Sequence, residues 1–269
     1  MVLSAICSAA SQPVDAVTGV LRRAGITERL GEYIVTDAVL LDEDGREVVI
    51  GSFFDGDRPV LLNFVYHTCP MLCSMVLEAT TKAAAEIDWT PGDEYRIVSI
   101  SMSDADTPES ASRQKAKYLD KLGKPGADDG WHFLTGEADQ VARIAGSVGF
   151  EYEKDEGSGE YGHAAVVILL SPTGKVSRYL YGISYKPFDV RAGLVEASEG
   201  NVGNVVDRLI MFCFLYDPAE GSYVPQAWLA MRVAGGLTIL LLGSFIGLFW
   251  IRERRNSRAA ARETESNAA

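Results

Sequence analysis

The chain has 269 residues, 47% of them hydrophobic, which suffices for one sizeable packed domain with appendages. Its 37 acidic against 25 basic side chains give a net charge of −12, which argues against a nucleic-acid partner and against long-range attraction to anionic surfaces. The four cysteines, Cys7, Cys69, Cys73 and Cys213, are too few and too scattered for a disulfide-stapled scaffold, and only Cys69 and Cys73 are spaced for joint chemistry.

Residues 1–30 are expected to be a lead-in. Met1 to Ala10 is mildly apolar and ends in small residues, without a basic leader or a full apolar core, as the remnant of a signal peptide would be. Val39–Leu41 and Val48–Ile50 flank Asp42 to Arg46, a hairpin pattern in which Gly45 supplies the unusual backbone angle. Val60 to Tyr66 is an apolar run with β-branched and aromatic members, which predicts a strand covered on both faces. Pro70 then suits the first turn of a helix, where its missing N–H costs nothing. Leu72, Val76, Ala79, Ala83 and Ile87 recur at three- and four-residue steps and carry that helix to Ile87.

Cys69 and Cys73 are thus expected four apart across the opening turn of this helix, able to face the same way. Unpaired N–H groups and the positive end of the helix dipole favour a thiolate there, so either sulfur can be a strong nucleophile or metal ligand. Cysteines one turn apart have Cα atoms roughly 6 Å apart, within the range a disulfide accepts. The spacing leaves metal binding and redox exchange both open.

Pro91-Gly92-Asp93 breaks the first helix, and Tyr95 to Ser101 is the next buried strand. Thr107 as N-cap, Pro108 in the first turn and Glu109 on the positive dipole end predict a second helix to about Lys121. Asp104 and Asp106 before it are explained by capping and solvation. Trp131 to Leu134 is a short strand in which His132 reads as a structural histidine, and Val141, Ile144, Ala145 and Val148 mark a third helix over 136–148. Phe150 to Lys154 is extended, and Asp155 to Glu160 is a loop by composition. Tyr161-Gly162-His163 leads directly into the apolar strand Ala164 to Leu170. His163 therefore stands at the mouth of a buried strand, where it can approach a site built on another strand's end. Ser171 to Lys175 turns the chain, Val176 to Tyr181 pairs back, and Lys186 to Glu199 is a last helix over the sheet. This order predicts an α/β main domain over 31–200 with a mixed central sheet and an N-terminal hairpin.

Residues 201–232 read as a linker, with Cys213 packed among apolar neighbours. Residues 233–251 are uncharged and apolar over the length needed to cross a hydrocarbon core about 30 Å thick, with Trp228 and Trp250 near the two ends. Arg252, Arg254, Arg255, Arg258 and Arg262 follow in the tail, 252–269, and the bias of basic residues toward the cytoplasm assigns the tail to that side. The sequence thus predicts a single transmembrane helix in a bacterial-type inner membrane, with the main domain on the outer, periplasmic side.

Together the stretches NFVYHTCPMLC, ISMSDADTPE, WHFLTG and YGHAAVVILLSPTG, spread over much of 31–199, resemble the Sco/SenC/PrrC family of thioredoxin-like copper chaperones for cytochrome c oxidase assembly. The resemblance implies a thioredoxin-like fold with copper held by Cys69, Cys73 and His163, as Cu(I) and also Cu(II). It implies a metallochaperone rather than an enzyme. The recipient would be the dinuclear copper site of a haem-copper oxidase subunit, and the other partners a copper donor or a thiol reductase. Two thiolates and an imidazole suit soft, low-coordinate Cu(I), whereas structural zinc would want a fourth protein ligand. His67 is the rival imidazole, two residues before Cys69, but the family pattern does not use that position. Two alternatives share the dithiol: a thiol–disulfide oxidoreductase that keeps the oxidase copper-site cysteines reduced, and a redox or copper sensor. Three residues between the cysteines, rather than the two usual in thioredoxin-type enzymes, favour the chaperone. Tyr66 stands where a peroxiredoxin has threonine.

Overall fold

The computed structural model describes residues 25–67, 72–155, 160–198, 214–217, 222–225, 232, 235–247 and 250, with backbone alone at 72–73, 214–217 and 222–225. The chain divides into two units, Met1–Arg208 with Pro218–Ser222, and Leu209–Asp217 with Tyr223–Ala269.

In the first unit all six residues of the central strand, β3 (Val60–Val65), are buried, as its apolar run predicts. β3 pairs in parallel with β4 (Arg96–Ser101), in register from Val60↔Arg96 to Val65↔Ser101, and β4 pairs in parallel with β5 (Trp131–Leu134). On its other side β3 meets β8 (Val166–Leu170) antiparallel, and β8 meets β9 (Val176–Tyr181) antiparallel. The sheet is therefore mixed, in the order β5-β4-β3-β8-β9. Its parallel pairs need crossovers, supplied by α1 (Leu72–Glu86) between β3 and β4 and α2 (Pro108–Leu122) between β4 and β5. α3 (Ala138–Ser147) follows β5, and α4 (Pro187–Ala197) packs on β8, β9 and α1. Trp131, Tyr95, Tyr118, Tyr179, Phe64 and Phe133 fill the interior. The polar ends of two of them are satisfied: Trp131 Nε1 donates to Ser99 Oγ at 3.0 Å and the Tyr179 hydroxyl to the Val148 carbonyl at 2.8 Å.

β1 (Val39–Leu41) and β2 (Glu47–Val49) form the expected hairpin, with Gly45 at φ +78° in its turn. The hairpin is a sheet of its own, tied to the end of β5 by reciprocal Leu41 and Thr135 backbone hydrogen bonds of 2.7 and 2.9 Å. Ile50 leaves the strand for a short 3₁₀ turn that buries both Ile50 and Phe53. The segment before β1 is stitched to the base of the domain by Thr27 N–H to the Gly149 carbonyl (2.9 Å), Gly31 N–H to Val176 (2.8 Å) and Ile34 N–H to Gly174 (2.9 Å). At Gly149, φ +66°, a Cβ would lie 1.8 Å from the Thr27 carbonyl oxygen, so this crossing accepts only glycine.

One element departs from the reading of the sequence. Tyr161-Gly162-His163 does not run on into β8 but forms a separate strand, β7 (Tyr161–His163), antiparallel to β6 (Tyr152–Lys154). Ladder pairing in the central sheet resumes only at Val166, opposite Tyr181. His163 thus belongs to a two-stranded ribbon beside the sheet rather than to the sheet.

β10 (Phe214–Asp217) and β11 (Ser222–Pro225) make a two-stranded sheet where the sequence suggested only a linker, and residues 235–247 of the second unit are helical. Cys213 lies outside the described residues. Among the described residues no helix is long and apolar enough to cross a membrane.

The start of α2 is fixed as its sequence predicts. Thr107 Oγ1 accepts the Ser110 N–H at 3.4 Å, and Ser110 Oγ accepts the Thr107 N–H at 3.1 Å. Thr107→Ala is expected to cost about 1 kcal/mol of stability, read as a lower urea midpoint with an unchanged slope.

Candidate functional site

The sequence points to Cys69, Cys73 and His163. Cys69 lies outside the described residues; Cys73 is the second residue of α1, and its side chain is not described. His163 is the last residue of β7. Among the described residues no three His, Cys, Asp or Glu side chains gather as they would around a metal ion. The site is therefore built from the elements that carry the three residues.

The ribbon brings His163 toward the strand that leads to Cys69. Its register pairs Tyr152 with His163 and Lys154 with Tyr161, so these four side chains share one face. That face meets the end of β3 through rings. Phe64 of β3 stacks on Phe150 at 4.5 Å between centroids, Phe150 lies 6.0 Å from the His163 ring, and Tyr66 lies 5.4 Å from Tyr161. Tyr66 is three residues before Cys69.

The His163 ring has a defined chemistry. Its Nδ1 lies 2.9 Å from the Ala164 carbonyl oxygen, which can only accept, so Nδ1 carries the proton and Nε2 the lone pair. Burial pushes the imidazole below its ordinary value of 6.5, and the Ala164 hydrogen bond opposes this only partly. A neutral ring with one nitrogen fixed on a backbone carbonyl is the form a metal-ligating histidine takes.

His67 is turned elsewhere. Its ring is 1% exposed, with Nδ1 2.9 Å from Ser110 Oγ of α2 and 3.6 Å from Asp106 Oδ2. Its backbone is held too: the N–H donates to Asp106 Oδ2 at 2.6 Å, and its carbonyl accepts from Gln114 Nε2 at 2.7 Å. Asp106 also accepts the Ser101 hydroxyl at 2.5 Å, and its side chain is wholly buried. The expectation that capping and solvation explain Asp106 is corrected here: this carboxyl fastens the end of β3 to the start of α2. The sequence carried no signal for that role, because a buried carboxyl and a capping one both precede a helix. His132 is structural as expected, its ring 4.9 Å from Phe53 and its Nδ1 3.6 Å from Glu43.

A mixed five-stranded sheet with parallel crossovers, a cysteine-bearing helix following the central strand and a histidine brought up beside that strand's end define a thioredoxin-like protein. The SCO1/SenC family model matches residues 27–194, and the chain belongs to that family. The SCO1 protein homolog of Bacillus subtilis (strain 168) is 24% identical over 160 residues, 58% of this chain and 78% of that one. A protein of Aquifex aeolicus VF5 is similar in fold, with a TM-score of 0.56 and 23% identity over 64% of this chain and 95% of its own. So is BsSco, a member of the Sco family of cytochrome c oxidase assembly proteins in which a disulfide switch has been identified. Its TM-score is 0.51 at 22% identity, covering 65% of this chain and 98% of its own.

Burial lowers His67 as it does His163, outweighing the nearby Asp106 carboxyl, which raises it. Between the lowered folded values and the ordinary 6.5 the unfolded chain binds more protons than the folded one, so stability falls as pH drops through that window. Urea unfolding is expected to show stability falling as the pH drops below 6.5, with a shallower dependence in His67→Gln.

Proposed function

We propose that this protein is a membrane-anchored copper metallochaperone, which holds copper on Cys69, Cys73 and His163 and passes it to the dinuclear copper site of a cytochrome c oxidase subunit. The observation that carries the reading is the His163 imidazole. It is neutral, its Nδ1 is engaged by the Ala164 carbonyl, and it sits on a ribbon face packed beside the strand that runs into Cys69. Membership of a family associated with oxidase assembly supports the same reading.

Copper is here the cargo, a soft ion suited to two thiolates and an imidazole. The N-terminal end of α1 favours the deprotonated form of Cys73, so less free energy is needed to release its proton when the ion arrives. The Ala164 carbonyl keeps His163 in the tautomer that offers Nε2. Transfer is ligand exchange: the recipient's donors replace these three in turn, with no change in oxidation state required.

A second reading is favoured by one observation, the disulfide switch identified in BsSco. Here Cys69 and Cys73 would reduce a partner disulfide, giving up two electrons and two protons as they close their own. Metal-free, reduced protein that turns over insulin disulfides catalytically would support this reading, and single-turnover behaviour with tight Cu(I) binding supports the carrier.

The anchor is residues 233–251. Leu237, Ile239, Leu240, Leu241, Leu242, Phe245 and Ile246 are all exposed around the described helical stretch, and an apolar helix surface on every side suits lipid. The arginines after it favour a cytoplasmic tail and an outward-facing main domain. Protease added to spheroplasts is expected to cleave the main domain and spare a C-terminal tag; cleavage of the tag alone would reverse the orientation.

In Cu(I) competition against a chromophoric chelator, Cys69→Ala, Cys73→Ala and His163→Ala are each expected to weaken binding by at least about 100-fold, since loss of even an outer partner of a ligand costs about 10–100-fold. Stoichiometric, tight Cu(I) binding by His163→Ala would overturn the assignment.

A further inference from the structure

Outside the three proposed ligands, one short loop touches both segments that carry them. The loop between β4 and α2 contains Asp106, whose Oδ2 takes the His67 N–H at 2.6 Å two residues before Cys69. It also contains Asp104, whose Oδ1 takes Lys154 Nζ at 3.0 Å and the Tyr161 hydroxyl at 3.2 Å. Lys154 and Tyr161 face each other across the β6–β7 ribbon, and Lys154 Nζ lies 5.5 Å from the Tyr161 ring centroid. A single carboxylate therefore bridges both strands of the ribbon, with Tyr161 two residues before His163 and on the same face.

We propose that Asp104 is a positioning residue for His163: with Asp106 holding the chain that leads to Cys69, the β4–α2 loop sets where the imidazole stands relative to the dithiol. This inference rests on the copper reading of His163 and adds to it the element that fixes the separation of the ligands. Three features make the loop a strut. The first is that the two aspartates are coupled by the loop's own hydrogen bonds, Ser103 N–H to Ser101 Oγ (3.1 Å), Ala105 N–H to Ser103 Oγ (3.3 Å) and Asp106 N–H to the Ser103 carbonyl (3.3 Å). Another is the ribbon's size: with three residues in each strand it is too short to hold its own geometry and needs an external tie. The third is charge. Lys154, and then the Tyr161 hydroxyl, hold the Asp104 carboxyl below its usual range, so the clamp is ionised at neutral pH.

The Lys154 and Asp104 side chains are 47% and 61% exposed, which limits the clamp to a modest effect. The test uses the full chain in detergent. In the metal-free protein, Asp104→Asn and Lys154→Met are expected to speed amide exchange in β6 and β7 by about two- to fivefold, with β3, β4 and β8 unchanged. In the copper titration, Asp104→Asn is expected to raise the Cu(I) dissociation constant by about two- to fivefold, and Asp104→Glu to restore part of it. In a His163→Ala background the same substitution is expected to change Cu(I) affinity by nothing measurable, because a residue acting through the imidazole has nothing left to position. A loss that persists without His163, or ribbon amides that exchange at the wild-type rate in Asp104→Asn, would overturn the proposal. Copper binding indifferent to His163→Ala would instead sink the copper reading, and the proposal with it, even if the ribbon amides still reported the clamp.

Discussion

The hydrogen bond from the His67 N–H to the buried Asp106 carboxyl is the constraint on which the C-terminal end of the central strand depends. β3 delivers the chain to that point with every residue enclosed, and its ladder with β4 ends at Val65↔Ser101, two residues before His67. Burying a carboxyl is costly unless it is well hydrogen-bonded. Here Oδ2 takes both the His67 amide and the Ser101 hydroxyl, joining the ends of two neighbouring parallel strands. Gln114 Nε2 donates to the carbonyl of the same residue, His67, and Ser110 meets its ring. Since Ser110 is also the third residue of α2 and half of its capping box, the cap that starts the helix and the lock on His67 share one side chain.

The opposite half of the site is held by other forces. His163 rides on a ribbon whose inner face is a row of rings, Tyr152 and Tyr161 on the ribbon against Phe150, Phe64 and Tyr66. Ring contacts fix distance well and orientation less strictly, because offset and tilted arrangements lie close in energy. The polar tie to Asp104 adds direction, and the Ala164 carbonyl sets the ring nitrogen that bears the proton. The chain leading toward the dithiol therefore leaves a framework of buried hydrogen bonds, whereas among the described residues the imidazole side combines aromatic packing with an exposed ionic clamp.

Much of this was legible in the sequence, for reasons that are themselves physical. Val166–Leu170 is continuous and apolar, Val60–Val65 is apolar but for Asn63, and Arg96–Ser101 carries Ile97, Val98 and Ile100, because these strands are covered on both faces. Thr107, Pro108 and Gly45 announce their positions through local backbone chemistry, which needs no knowledge of distant neighbours. The ribbon was not legible. Three-residue strands leave no period to read, and Tyr161-Gly162-His163, lying between a loop and the apolar run of β8, carries no signal for an element of its own. Asp104 and Asp106 are two residues apart in one turn, yet one is exposed and holds the ribbon while the other is sealed inside. Only the approach of His67 from one side and Lys154 from the other separates them, and both are long-range contacts.

That difference in support bears on how a carrier could let its cargo go. A donor site must bind tightly enough to collect an ion and yet lose its ligands one at a time to a recipient, so the ligand on the softer support is the natural first to leave. On the copper reading that ligand would be His163, since one tie of its ribbon is the exposed Lys154–Asp104 pair, whereas displacing His67 would leave the buried Asp106 carboxyl without its amide. The thiol-exchange reading makes no use of an imidazole held in a ligand's tautomer. The fixed tautomer of His163 is thus the feature on which the carrier and reductase readings, both compatible with the dithiol, part company.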